Sequence, residues 1–103
     1  EVIHLISYTI NPKRDITSLV AELQHSPRWM HYLDETWGIA SRESRQELWG
    51  RLSPHFRATD RVLITDLPAG AGFYGLLPQA AWDWLRGDGQ RASGGESGGT
   101  EVS

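Results

Sequence analysis

The chain has 103 residues, 39% of them hydrophobic and 22% charged, with a formal net charge of -3. That is one small domain with enough apolar content for a globular core, so wholesale disorder is excluded, as is a protein held to DNA or RNA mainly by bulk positive charge. With no cysteine, disulfides, thiol catalysis and Cys-ligated zinc are excluded as well.

Residues 2–10 (VIHLISYTI) are almost continuously apolar and rich in β-branched side chains, the pattern of a central strand covered on both faces. Interrupted by His4, Ser7 and Thr9, the run is far short of the roughly 20 residues of a membrane helix. No secretory pattern opens the chain, so no membrane contact and a cytoplasmic location are expected. Asn11-Pro12 breaks the strand. Asp15 then suits the cap of a helix whose apolar positions Ile16, Leu19, Val20 and Leu23 follow the helical spacing. Ser26-Pro27 ends that helix. Residues 29–41 read as extended, either one bulged strand or two short strands around Asp34-Glu35.

A second helix opens at Ser41 or Ser44; Ser44 with Glu47 three residues on has the capping-box form. Its apolar stripe is Leu48, Leu52 and Phe56, with Trp49 beside it. Residues 60–67 (DRVLITDL) form the clearest later strand, and a glycine-bearing turn leads to Leu76-Leu77. Pro78 opens a short helix ending near Arg86-Gly87. Residues 87–103 hold six Gly, three Ser and one large apolar side chain, Val102. Such a segment buries too little to offset its ordering entropy and is expected to be a flexible tail. The expected division is therefore a folded domain over 1–86 and a tail over 87–103. The tail carries three acids against one base, which leaves the folded part nearly neutral.

Strands separated by helices in under 90 residues fit an α+β, ferredoxin-like two-layer sandwich with an appended C-terminal helix and a disordered tail. One sheet face packs on the two helices; the other stays open unless the terminal segment or a partner chain covers it. Five Trp are a large aromatic load for so small a core, so some rings are expected at a partner surface.

The segments HLISYTI, HYLDETW, DRVLITDL and LPQAAWDWL resemble small bacterial proteins of the "SinR family". These are similar in turn to the CRISPR-associated adaptation nucleases, which are ferredoxin-like dimers. The resemblance spans about residues 2–86 and implies the same fold and a homodimer. In the adaptation nucleases the first strand ends in Tyr-Asp-Ile, and that Asp is the proposed metal ligand at the dimer interface. This chain has Tyr8-Thr9-Ile10, and a threonine hydroxyl does not replace a carboxylate as a charged ligand for a hard cation.

For metal-assisted hydrolysis, the catalytic candidates are Asp34 and Asp66, with Mg²⁺ or Mn²⁺ needed only in that case. Otherwise no cofactor is expected and no metal ligand set is assigned. Asp60 reads as a turn or cap residue, and Asp66, on a strand face with Val62 and Ile64, as an acid paired with an arginine. The four histidines lack metal-pair spacing; His4 reads as a hydrogen-bonded sheet residue. Nine of the ten basic residues are arginine, the better bidentate reader of phosphate. Arg42, Arg45 and Arg51, interleaved with Glu43 and Glu47, read as a solvated helix face. Candidates for a nucleic-acid surface are Lys13, Arg14, Arg28 and Arg61, with Trp29 and Trp37 as stacking rings. Trp82 and Trp84, two apart, point in different directions, one expected inward and the other near an interface.

The leading expectation is a homodimeric, non-catalytic binding module related to the adaptation nucleases and contacting DNA or RNA. The alternatives are a metal-dependent endonuclease using Asp34 or Asp66, and a protein-interaction or antitoxin-like subunit with a protein partner.

Overall fold

The computed structural model describes residues 2–68, 70–87, 91–93 and 100–102. The elements run β1 (Val2–Thr9), α1 (Thr17–Gln24), β2 (Arg28–Leu33), β3 (Thr36–Ser41), α2 (Arg45–Leu52), β4 (Arg61–Leu67), β5 (Gly75–Leu77), α3 (Gln79–Leu85), β6 (Arg91–Ser93) and β7 (Thr100–Val102), with a 3₁₀ turn over Ser53–His55. The chain is an α+β fold in which β4, β1, β3 and β2, in that order, make a four-strand antiparallel sheet. The backbone of β6 pairs in parallel with β2, and that of β7 pairs antiparallel with β5 in a separate two-strand sheet. The rest of the expected tail, residues 88–90, 94–99 and 103, lies outside the described residues.

The open choice over residues 29–41 resolves as two strands, because Asp34-Glu35 forms the turn of a β2–β3 hairpin. Helix α2 starts where the capping box predicts: the Glu47 N–H donates to the Ser44 hydroxyl, and the Ser44 N–H to the Glu47 carboxylate. Asp15 works one position earlier than a helix cap. Its carboxylate accepts both the N–H and the hydroxyl of Thr17, and α1 begins there.

Alternation along β1 divides the molecule into two cores. His4, Ile6 and Tyr8 are buried on one face, where Leu19 and Leu23 of α1 and Leu48 and Leu52 of α2 pack against them. The opposite face is covered in part by α3: Met30 and Ala40 of the sheet meet Ala81, Trp82, Trp84 and Leu85. Of the two covers considered for this face, the terminal segment supplies one, and it makes a third layer. Both terminal-helix tryptophans are buried, at 2% and 1% exposure, so the expectation of one ring near an interface is corrected. They do point apart. Trp84 lies on Gly38 of the sheet, whereas Trp82 packs with Phe73 beneath the segment leading to β5. Gly38 has no positive φ; it is glycine for space, since a Cβ there would stand 2.8 Å from Cζ3 of Trp84. This second core reaches Ile3 of β1 and Leu67 of β4 but leaves Leu63, further along β4, 64% exposed.

Candidate functional site

The register places the candidate residues at two opposite ends of the sheet. At one end His4 of β1 stands beside Asp66 of β4. The imidazole is 1% exposed. Its Nε2 donates to the Glu43 carbonyl at 2.9 Å, and its Nδ1 meets Asp66 Oδ1 at 2.7 Å. Neither nitrogen faces open space, so His4 is a sheet residue held by hydrogen bonds and is not positioned as a general base. The other oxygen of Asp66 accepts from Arg45, which is the arginine pairing expected for this acid. Arg28 also belongs to this end, lying 5.5 Å over the Trp84 ring.

Asp34 sits in the β2–β3 turn at the far end, exposed, its carbonyl accepting from His31 Nε2. The neighbouring Glu35 carbonyl accepts the Tyr8 N–H. His4 and Tyr8 are four residues apart on β1, about 13 Å at ~3.3 Å per residue. Paired metal ions need carboxylates converging on a space of about 4 Å. Asp34 and Asp66 therefore do not converge. Among the described residues no group of three or more His, Asp and Glu side chains is arranged to hold a metal ion.

The Asp34 end also gathers Lys13, Arg14, Arg57 and Arg61. Lys13, Arg57 and Arg61 are exposed. Arg14 is tied down: its guanidinium donates to Asp60 and to the His55 carbonyl, and both side chains of the Arg14–Asp60 pair are buried. Arg14 holds the Asp60 carboxyl below its ordinary range, assisted by the Arg57 N–H. Arg14 is thus a structural residue, not a phosphate reader. The stacking rings proposed for this surface are also corrected. Trp37 is 1% exposed, with His31 stacked on it at 3.9 Å and its indole N–H donated to the Tyr8 hydroxyl. Trp29 is buried against it. Burial of the Tyr8 hydroxyl pushes its pKa up.

Arg51 departs furthest from the solvated-face reading. Its Nε and Nη2 donate to the two oxygens of Glu43 at 3.1 Å each, and Nη1 donates to the carbonyl and carboxylate of Glu22 at 2.8 and 2.9 Å. Nη2 also donates to Ser26 at 2.8 Å. All five guanidinium N–H groups thus have acceptors, and both carboxyls are held below their ordinary range chiefly by the Arg51 hydrogen bonds. The side chain staples α1 to the β3–α2 loop beside an open groove of about 630 Å³, with Arg42 and Glu47 on its lining. The local sequence offered only Glu47 as an i, i+4 partner. The real ones are 8 and 29 residues away, and no local pattern encodes them. Arg42 precedes the helix altogether.

A second groove of about 290 Å³ runs between α2 and β4, lined by Arg45, Gln46, Trp49, Val62 and Ile64. Trp49 is 41% exposed and rests on Phe56, ring centroids 5.8 Å apart. Its place beside the Leu48–Leu52 stripe was the signal in the sequence. Among the described residues no helix is long and apolar enough to cross a membrane. No family model matches the chain, and no curated protein and no solved structure shows a significant match to it.

Proposed function

We propose that the chain is a homodimeric, non-catalytic binding module that contacts nucleic acid, of ferredoxin-like architecture and related to the "SinR family" and the CRISPR-associated adaptation nucleases. The architecture is supported by the strand order β4-β1-β3-β2 and by its two crossovers. Helix α1 carries the chain from β1 past β3 to β2, and α2 from β3 past β1 to β4, with both helices in one core.

The observation that carries the non-catalytic reading is the fate of the carboxylates. Thr9 stands at the end of β1 where the resemblance calls for an aspartate, opposite Arg61 in the register. Asp66 has both oxygens engaged, and Asp34 lies at the opposite end of the sheet. The homodimer is supported by apolar side chains that the monomer leaves in water: Leu63 on the edge strand β4, and Tyr74 and Leu76 around β5, at 74% and 68% exposure. Contact with nucleic acid is supported by the exposed bases Lys13, Arg57 and Arg61.

The test is binding of labelled single- and double-stranded DNA and RNA as salt is raised, with and without Mg²⁺, alongside sedimentation. Affinity that falls with salt supports the phosphate-contacting surface, and the slope counts the contacts. Absence of binding at about 50 mM salt, where such contacts are strongest, overturns it and favours a protein partner on the Leu63 and Tyr74 surface. Cleavage with Mg²⁺ or Mn²⁺ that is lost in Asp66→Asn or Asp34→Asn would restore the nuclease alternative. A monomer at high micromolar concentration removes the dimer.

A further inference from the structure

The main sheet has one closed edge and one open one. Strand β6 pairs with β2 at one side, whereas among the described residues no strand pairs with the outer side of β4. We infer that the homodimer forms at this open edge: β4 pairs antiparallel with β4 of a second copy, about a two-fold axis at Ile64. The inference rests on the homodimer reading above and gives that dimer its seam and its register.

Which backbone groups β4 turns outward follows from one bond on β1. The Tyr8 N–H donates to the Glu35 carbonyl, in the register of the β1–β3 ladder. In an antiparallel ladder the N–H and C=O of one residue point to the same side, and that side alternates along the strand. Tyr8, Ile6 and His4 therefore turn their backbone groups to β3, and Thr9, Ser7, Leu5 and Ile3 turn theirs to β4. Opposite these stand Arg61, Leu63, Thr65 and Leu67, whose backbone groups are the ones bonded to β1. Val62, Ile64 and Asp66 send N–H and C=O away from the sheet. An edge of this kind is a template for another strand. The usual protections are missing, for β4 has no lysine, no proline and no bulge in its register with β1.

Symmetry and charge select a second copy as the added strand. The outward residues are centred on Ile64, so β4 of a second copy satisfies each of them. Ile64 pairs with Ile64, and Val62 with Asp66 on either side of the axis, with two hydrogen bonds in each pair. On the open face Leu63, 64% exposed, comes to lie across from Thr65, and Arg61 across from Leu67. No like charges are opposed. Moving the axis to Leu63 would set Asp66 against Asp60. Moving it to Thr65 would set Val62 against Pro68, which has no N–H to give. Because β6 closes the other edge, pairing stops at two copies and does not run on into a fibre.

The experiment uses the full chain. Sedimentation from low to high micromolar concentration finds where the dimer forms, and amide hydrogen exchange is followed by NMR on both sides of that point. In the dilute protein the Leu63 and Thr65 amides should be protected, and those of Val62, Ile64 and Asp66 should exchange fast. With about nine-tenths of the chains paired, the last three should slow about ten-fold, since exchange then runs through the remaining monomer. The native chain has no cysteine, so crosslinking of introduced ones reads the register. An oxidised equal mixture of Leu63→Cys and Thr65→Cys should form the mixed disulfide, the two Cα atoms standing about 4.5 Å apart. Each variant alone should stay uncrosslinked, its like positions about 8 Å apart and out of reach. No dimer at high micromolar concentration overturns both the seam and the homodimer reading. A dimer in which the Val62, Ile64 and Asp66 amides exchange as fast as in the monomer overturns the seam alone. Crosslinking of Leu63→Cys to itself, with none in the mixture, overturns the axis at Ile64.

Discussion

Gly38 and Trp84 offer the sharpest test of how the α3 layer is fixed to the sheet. In Gly38→Ala the new methyl would meet Cζ3 of Trp84 at 2.8 Å, Cη2 at 3.1 Å and Cε of Met30 at 3.3 Å. Carbon pairs rest at about 3.5–4.0 Å, so the ring must retreat by close to 1 Å. Trp84 is 1% exposed and has no open space to swing into, so the retreat moves α3 off the sheet. Overpacking of this kind costs about 1–3 kcal/mol. Against it stands the smaller entropy of an unfolded chain with alanine, a gain of about 0.4–1 kcal/mol. Overpacking wins, with a net loss of about 1.5 kcal/mol. For a domain of this size that lowers Tm by about 6–12 °C.

The double-mutant cycle isolates the contact. In a Trp84→Leu background the ring is gone, and Gly38→Ala should become neutral or stabilising. The coupling energy is then about 1–3 kcal/mol, read from urea unfolding at low temperature. An equal cost for Gly38→Ala in both backgrounds would refute the ring contact as the reason for the glycine. So would stabilisation by Gly38→Ala in the wild type.

Arg51→Ala leaves Glu22, Glu43 and Ser26 without the five donors that now meet them, and it should cost about 2–3 kcal/mol in urea unfolding. That is less than the ~3–5 kcal/mol for a fully buried pair, because these side chains are about a quarter exposed. Arg51→Lys keeps the charge with three donors and should recover only part of the loss. Glu22, Glu43 and Asp60 have folded pKa values below their unfolded ones. Their contribution is therefore fully present above the ordinary carboxylate range and is lost as pH falls through the depressed folded values. The urea midpoint should drop on acidification below about pH 5, with a shallower fall in Arg51→Met; an equally steep fall in that variant would refute Arg51 as the main cause.

How much was legible depended on how local the determinant was. The Ser44–Glu47 box fixed the start of α2 because cap and partner lie within one turn. Alternation on β1 put His4, Ile6 and Tyr8 on one face, and all three are buried there. The acid expected to pair with an arginine, Asp66, does so. What escaped was set by contacts distant in sequence. Arg51 reaches Glu22 across 29 residues, and Arg14 reaches Asp60 across 46. Neither choice of partner leaves a local trace, so one arginine read as a solvated face and the other as a phosphate reader. Tryptophan content suggested surface rings without identifying them. Four of the five are buried, because α3 folds back over the sheet and the β2–β3 hairpin places Trp29 and Trp37 beneath the helices. The exposed ring, Trp49, sits one step off the stripe that buries its helix.

The alternation of β4 sets the dimer and the nucleic-acid readings on one side of the sheet. Val62, opposite Tyr8, and Ile64 face the helices, whereas Arg61, opposite Thr9, and Leu63 lie on the other face. A strand's period of two thus puts an exposed cation and an exposed apolar side chain on one face, about 7 Å apart along the strand at ~3.3 Å per residue. A dimer formed through Leu63, Tyr74 and Leu76 would then carry Arg61 of each copy beside its seam. Leu63→Gln, which adds no charge, should shift sedimentation toward monomer and weaken nucleic-acid binding with it. Unchanged affinity in a monomeric Leu63→Gln would refute the shared surface and leave Lys13 and Arg57 to carry the contact.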